Sequence, residues 1–284
     1  MTQHEAQIYY EFILPLVIDA GKILKDAQHI EVEIKNEVVW DWVTIYDRKI
    51  EEVLIKRIKE RYPNHRYIGE EESFGETREL TDHPTWIIDP IDGTVNFVRN
   101  FPMSGISVAL AIQKEIVVGV VYNPHMGELY TAVKGKGAYL NGNRIRTSCC
   151  KEMRKSVLNY ELSLARRNEH FFKMYMYRTK HLIKAITGIR ALGCAVLGLC
   201  YVANGRTDAY QADGLYPWDV AAGILIVREA GGYVIDTSGK EFDVMEPNFL
   251  ATATRELSDQ LMVVEKRADE ELLNDTKLSE SLRT

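Results

Sequence analysis

The sequence predicts an α/β protein. Segments with apolar residues at helical spacing alternate along the chain with short apolar runs bounded by turn residues. The chain has 284 residues, 46% of them hydrophobic. That is enough to bury a substantial core, as one large unit or as two tightly joined halves meeting near residue 150.

The elements follow in order. Residues 4–27 carry Ile8, Phe12, Ile13, Leu16, Ala20, Ile23 and Leu24 on one side of a helix, with a kink expected at Pro15. Residues 43–61 form a second helix, its apolar stripe running through Ile50, Val53, Leu54 and Ile58. Tyr67-Ile68 and Trp86-Ile87-Ile88 read as strands. Ile106–Ile112, Val117–Tyr122 and Leu129–Val133 read as three more, with turns at Lys114-Glu115 and 124–127. Residues 154–210 mix strand and helix. Asp219–Ala230 is helical, Tyr233–Ile235 is a strand, and a last helix runs from Glu256 to Arg267. The polar tail 271–284 is expected to fray. No repeat, low-complexity tract or Pro/Gly/Ser linker divides the chain.

The most informative stretch is 86–97, Trp-Ile-Ile-Asp-Pro-Ile-Asp-Gly-Thr-Val-Asn-Phe. A buried strand here delivers two carboxylates, Asp89 and Asp92, to its C-terminal end, where both can grip a hard cation. Gly93 allows close backbone approach, and the N–H groups of Gly93 and Thr94 can face an anion if a helix starts there. Taken alone, Asp-Pro and Asp-Gly are ordinary turn dipeptides.

Three other segments change the balance. Ile68-Gly69-Glu70-Glu71-Glu72-Ser73 puts Glu70 at a second strand end, although three consecutive glutamates usually form a solvated run. Asp41 to Asp47 opens a helix. Asp41 or Thr44 serves as its cap, which leaves Asp47 spare. Trp218-Asp219-Val220-Ala221-Ala222-Gly223 leads a long apolar helix, and Asp219 has a plain reading as that helix's cap.

Composition removes several classes of function. The formal net charge is −6 and no basic stripe appears, so nucleic acid is not an expected partner. An acidic site for an anionic substrate needs cations to reverse its sign. Cys149, Cys150, Cys194 and Cys200 lack paired zinc spacing, and adjacent Cys149 and Cys150 bond each other only under strain. They read as free thiols in a reducing cytosol. Residues 1–6 have no basic start or signal core. The run Ala191–Ala203 is too short to span a bilayer and reads as a buried helix, so no membrane partner is expected.

At this point the chain resembles the inositol monophosphatase family. The resemblance rests on Gly69-Glu70-Glu71, on Asp89-Pro90-Ile91-Asp92-Gly93-Thr94-Val95-Asn96-Phe97 and on Trp218-Asp219-Val220-Ala221-Ala222-Gly223, in that order. Phe101-Pro102, Gly119-Val120-Val121-Tyr122-Asn123-Pro124 and residues 135–142 agree with it. It covers about residues 5–265, and the ordered set is far more specific than any one motif. It implies alternating helix and sheet layers in an αβαβα sugar-phosphatase fold, with the site where the halves meet. It also implies a cytoplasmic homodimer acting on inositol monophosphate, two to three Mg2+ per site, and sensitivity to lithium.

The chemistry fits a phosphomonoester. Its dianion repels nucleophiles and its leaving group is poor, so catalysis must neutralise charge and place a water in line. Divalent ions roughly 3.5–4 Å apart can do so, and carboxylates with one carbonyl suit magnesium. The resemblance assigns Glu70, Asp89 and the Ile91 carbonyl to a first magnesium. It assigns Asp89, Asp92 and Asp219 to a second, and places a weaker third beside Glu70. Thr94, polarised by Asp47, receives the attacking water, which Glu70 helps to orient. Gly93 and Thr94 offer amides to phosphate, and Gly193-Cys194-Ala195 matches the loop that touches substrate hydroxyls.

Two places depart from the family pattern. The family's hydroxyl-gripping glutamate aligns with Ala212, so either Asp213 substitutes from a shifted backbone or the grip is lost. Lys35 matches a lysine of the family's mobile loop, but Val38-Val39-Trp40 after it is unusually apolar, and packing is the expected role of Trp40. The expected activity is magnesium-dependent hydrolysis of inositol monophosphates. The alternatives are a phosphatase for a 3′-phosphonucleotide or other sugar phosphate, and a binding module that keeps the fold.

Overall fold

A computed structural model of the chain describes residues 3–71 and 79–281. Glu72 and Ser73, singled out in the acidic run, and the last three residues of the tail lie outside them. The chain opens with helix α1 (Gln3–Lys25), which runs through Pro15 without ending there. A short hairpin follows, β1 (Glu33–Ile34) and β2 (Trp42–Val43), then α2 (Ile45–Arg61). Next come β3 (Arg66–Gly69), β4 (Thr85–Asp92), the short helix α3 (Thr94–Val98), β5 (Gly105–Ile112), β6 (Glu115–Asn123), β7 (Glu128–Val133), β8 (Gly137–Leu140) and β9 (Asn143–Ile145). The seven strands β3 to β9 form one sheet in sequence order, antiparallel except for the β3–β4 pair.

The second sheet has five strands. They come from β10 (Val157–Tyr160), β11 (Gly188–Arg190), β12 (Ala209–Ala212), β13 (Tyr233–Ile235) and β14 (Phe249–Thr252), in the order β11-β10-β12-β14-β13. Between them run α4 (Glu169–Leu182), α5 (Ala195–Ala203) and α6 (Pro217–Glu229), and α7 (Arg255–Ser281) closes the chain.

Three apolar clusters stack these elements into five layers, helix–sheet–helix–sheet–helix. The first cluster packs α1 and α2 on one face of the large sheet through Trp86, Ile88, Val108 and Leu110. The second packs α5 and α6 between the other face, Ile87 and Ala109, and the small sheet's Tyr210, Ala212 and Phe249. The third seals the outer face, Leu158 and Ala209, under α4 and α7. Because both faces of the large sheet are covered, β4 is buried at all eight positions, and its Trp86-Ile87-Ile88 stretch is apolar without alternation.

The sequence placed Ile8 on the buried side of α1, but it is 43% exposed, and Val17 is fully buried in its place. The larger correction is the tail, which does not fray at 271. Helix α7 continues to Ser281, held against α4. Glu271 accepts from Lys180 and pairs with His181, Asp275 accepts from the Tyr177 hydroxyl, and Leu272 packs on the third cluster.

Under α7 lies a buried charge network. Arg178 donates to Asp213 and Asp269 and sits 3.6 Å from Glu265, whose two oxygens have no hydrogen-bond partner among the described residues. Burial pushes Glu265 from its ordinary 4.5 up to about 8, with Arg178 opposing. A carboxyl raised in the fold stabilises it while protonated. That contribution is complete below about pH 4.5 and is lost as pH rises through about 8. Glu265→Gln should remove this dependence. Urea titrations from about pH 4.5 to about pH 8 should show wild type losing stability relative to the variant; parallel curves would refute it.

Candidate active site

The two aspartates of β4 stand at its end, where the β4–β5 register slips between Asp89 and Asp92. The Ile91 amide donates to Asp89 Oδ1 at 3.0 Å. Gly93 then takes φ +86 and caps α3. A Cβ there would stand 2.8 Å from the Met103 carbonyl oxygen, so glycine is required both by conformation and by space. Asp219 arrives from the first turn of α6, where one of its oxygens accepts from the Tyr216 amide at 2.8 Å. The capping role is therefore real, and the same carboxylate also joins Asp89 and Asp92. One oxygen from each of the three lies within 4.8 Å of the others.

Electrostatics follow from that convergence. Burial, then the neighbouring carboxylates Glu70, Asp92 and Asp219, push Asp89 well above the usual range. Burial and Asp92 do the same to Asp219. Asp92 rises less, to about 7, because the α5 amides and the Cys194 thiol oppose burial. The Val196 amide reaches Asp92 Oδ2 at 2.5 Å and the thiol at 3.2 Å. A buried set of oxygen donors that repel one another in this way fits a hard divalent cation. The thiol, the soft atom here, serves as a hydrogen-bond donor.

The remaining predicted residues gather around this cluster. Glu70 extends the β3 edge, its amide donating to the Ile88 carbonyl, while its carboxylate holds Lys35 at 2.8 Å. Lys35 also binds Glu71. Burial disfavours its charge, but the two glutamates outweigh that and raise it. Asp47 is not spare, as the sequence had suggested. One of its oxygens completes a capping box with Thr44, and the other faces the Thr94 hydroxyl at 3.3 Å. Burial pushes Asp47 up to about 7. The Thr94 hydroxyl also lies 3.0 Å from the Ile91 carbonyl. Trp40 is 41% exposed, with the Arg166 guanidinium 5.3 Å over its ring.

Gly193, Cys194 and Ala195 line a cleft of about 130 Å3 with Asp92, Asp219 and Glu161. Asp213 is a correction. Successive residues of a strand face opposite ways. Tyr210 and Ala212 of β12 face α5 and α6, while Asp213 turns toward α4, where Arg178, Gln211 and Thr237 donate to it. It is in no position to grip a hydroxyl in the cleft. A larger cavity of about 710 Å3, beside Lys114 and Arg228, holds none of the predicted site residues.

Three positioning side chains escaped the sequence reading. Glu51 of α2, buried, accepts from the Glu71 amide at 3.0 Å. Asn96 donates to the carbonyls of Met103, Leu192 and Gly193. Glu161 accepts from the amides of Leu192 and Gly193. A glutamate beside the apolar stripe of α2 was the visible signal for Glu51. The other two act across contacts about a hundred and about thirty residues apart in sequence.

A profile of the inositol monophosphatase family matches residues 5–271. Human inositol monophosphatase 1 is 41% identical over 254 residues, covering 88% of this chain and 91% of the relative. Among solved structures, a Thermotoga maritima IMPase superposes with a TM-score of 0.78 at 32% identity, covering 92% of this chain and 98% of that one. The 2'AMP-bound SaIMPase-II gives 0.80 at 26% identity, covering 95% and 99%.

Gly93→Ala is expected to destabilise the protein by more than ~1 kcal/mol, since alanine resists positive φ and its Cβ meets the Met103 carbonyl oxygen at 2.8 Å. Urea denaturation measures this. An unchanged midpoint would mean that the turn relaxes freely.

Proposed function

The chain belongs to the inositol monophosphatase family, and from that premise we propose that it is a magnesium-dependent phosphatase hydrolysing inositol monophosphates. One observation carries the reading. Three carboxylates from β4 and α6 converge within 4.8 Å, beside a Thr94–Asp47 pair suited to handling a proton. Bound divalent cations would supply charge neutralisation and a more acidic water. Asp89, Asp92 and Asp219 would hold one ion, with Asp89, Glu70 and the Ile91 carbonyl on another. Lys35 occupies Glu70 here and would have to yield part of that carboxylate.

The rest is work for the chain itself. The amides of Gly93 and Thr94, at the first turn of α3, receive the phosphate oxygens. Asp47 accepts the hydrogen of the Thr94 hydroxyl, which turns a Thr94 lone pair toward a water in line with the phosphorus. As the new P–O bond forms and the ester P–O bond breaks, that water's proton passes to Thr94, the Thr94 hydroxyl proton moves to Asp47, and the leaving alkoxide takes a proton from solvent. The 193–195 loop faces the leaving alcohol across the cleft. A phosphatase for another small phosphomonoester, such as a nucleotide, is the second reading. It is favoured by Asp213, which is turned away to Arg178 and leaves the expected hydroxyl grip unmade, and by the 2'AMP carried by one structural relative. Phosphate release from inositol 1-phosphate, 2'AMP, adenosine 3′,5′-bisphosphate and galactose 1-phosphate decides between the readings.

On the preferred substrate, activity should vanish with a chelator and return with magnesium. Asp89→Asn should be the most damaging ligand change, because it touches both ions. Asp219→Asn should weaken magnesium activation and lithium inhibition together. Near-normal turnover of Asp89→Asn at ordinary magnesium would sink the shared-ligand assignment.

Thr94→Ala and Asp47→Asn should lower kcat by roughly 10²–10⁴ with KM little changed, the usual size of one positioned proton acceptor. A raised KM at unchanged kcat would reassign both residues to binding.

A further inference from the structure

Glu161 follows β10 and opens the 3₁₀ segment Leu162–Arg167. Its side chain is buried beside the cleft, at a position with no cation pairing it among the described residues. Burial pushes its carboxyl up, and two backbone amides oppose that shift. Those amides belong to Leu192, 2.7 Å from Oε1, and to Gly193, 3.1 Å from each oxygen. The carbonyls of the same two residues accept from Asn96 at 2.7 and 3.2 Å. The Leu192–Gly193 segment is thus gripped from both sides. A carboxylate of the small-sheet half takes its N–H groups, and an amide from the helix after Thr94 takes its oxygens.

What the grip holds in place lies one residue further on. Gly193, at φ +67, turns the chain into α5. Cys194 caps that helix and its thiol reaches Asp92 Oδ2, as does the Val196 amide. One oxygen of Asp92 is therefore held by the start of α5, so the angle at which the carboxylate meets Asp89 and Asp219 depends on where the 192–194 loop sits. Oε1 accepts both amides and Oε2 accepts the Gly193 amide a second time. A glutamine removes the charge and, with its oxygen in the Oε1 place, turns an NH2 group toward the Gly193 N–H.

We propose that Glu161 is a positioning residue for the cation site. By fixing the 192–194 loop it holds Asp92 in the orientation in which that carboxylate, Asp89 and Asp219 share an ion. The proposal rests on reading the cluster as the cation site of a phosphatase, and its test reads binding separately from turnover.

The experiment is calorimetric titration of the full chain with Mg2+ in the absence of substrate, for wild type, Glu161→Gln and Cys194→Ala, with thermal unfolding of each. Loss of a hydrogen bond to a charged group is expected to raise the Mg2+ dissociation constant of Glu161→Gln about tenfold. Cys194→Ala, which removes one of the two donors on Asp92 Oδ2 and leaves the Leu192 and Gly193 bonds to Glu161 in place, should weaken binding in the same direction and by less. A Glu161→Gln protein that melts lower yet binds Mg2+ as wild type does would make Glu161 a loop brace only and overturn the proposal. Should Glu161→Gln fail to fold, unchanged Mg2+ affinity in Cys194→Ala would overturn it equally. If wild type binds Mg2+ but releases phosphate from no monoester, the phosphatase reading falls while a weakened Glu161→Gln still supports the positioning role. If wild type binds no Mg2+, both fall.

Discussion

The rest of the structure is arranged around a repulsion. Asp89, Asp92 and Asp219 are brought within 4.8 Å of one another in a place largely closed to water, and like charges so placed push one another toward the neutral form. The chain opposes this with fixed dipoles. The Ile91 amide serves Asp89, the Tyr216 amide serves Asp219, and the first turn of α5 with the Cys194 thiol serves Asp92. Each carboxylate is partly satisfied by these donors, and no cationic side chain among the described residues pairs with any of the three. Such a site is poised for a cation and costs stability without one.

That arrangement needs a frame able to aim three elements at one point, and the five-layer stack provides it. β4 runs buried through the large sheet and ends at the seam with the middle helical layer, where α5 and α6 both begin. Apolar packing on both sides leaves the strand end little freedom. Asn96 then ties the first half to the 192–193 loop across the seam, and Glu161 holds that loop from within the second half. The Lys35 hairpin contributes the ammonium group seen on Glu70 and Glu71. Trp40 of the same hairpin lies against Arg166, from the segment that follows β10 of the small sheet.

Much of the site was legible because its chemistry is packed into contiguous stretches. A buried strand that ends in Asp89, Asp92, Gly93 and Thr94 shows its periodicity and its turn chemistry together. Asp219, at the head of an apolar helix, is visible as a cap whether or not it does anything more. The misreadings have a common cause. Asp47 looked spare because Thr44 was an adequate cap, yet the capping box uses one oxygen of Asp47 and leaves the other for Thr94. Asp213 looked available because it adjoins Ala212, but strand pleating sends neighbours to opposite faces, and Arg178 was waiting on the far one. The tail looked frayed because its composition is polar, while its contacts with α4 appear only once two helices distant in sequence lie side by side.

The sequence by itself determined the α/β class, the elements that surround the site, and the identity of the carboxylates, since hydrophobic period, turn residues and motif order are local properties. Only the tertiary structure decided how those groups are held. The partners of Asp92 lie about a hundred residues away, Glu161 and Asn96 meet on a loop belonging to neither of their own elements, and Glu265 is buried beside Arg178 by a helix from the chain's far end. Hydrogen bonds and burial between remote segments carry no periodic signature. They exist only when packing closes the layers, and that closure decides which polar atoms are partnered, which are left exposed to repulsion, and which way each carboxylate points.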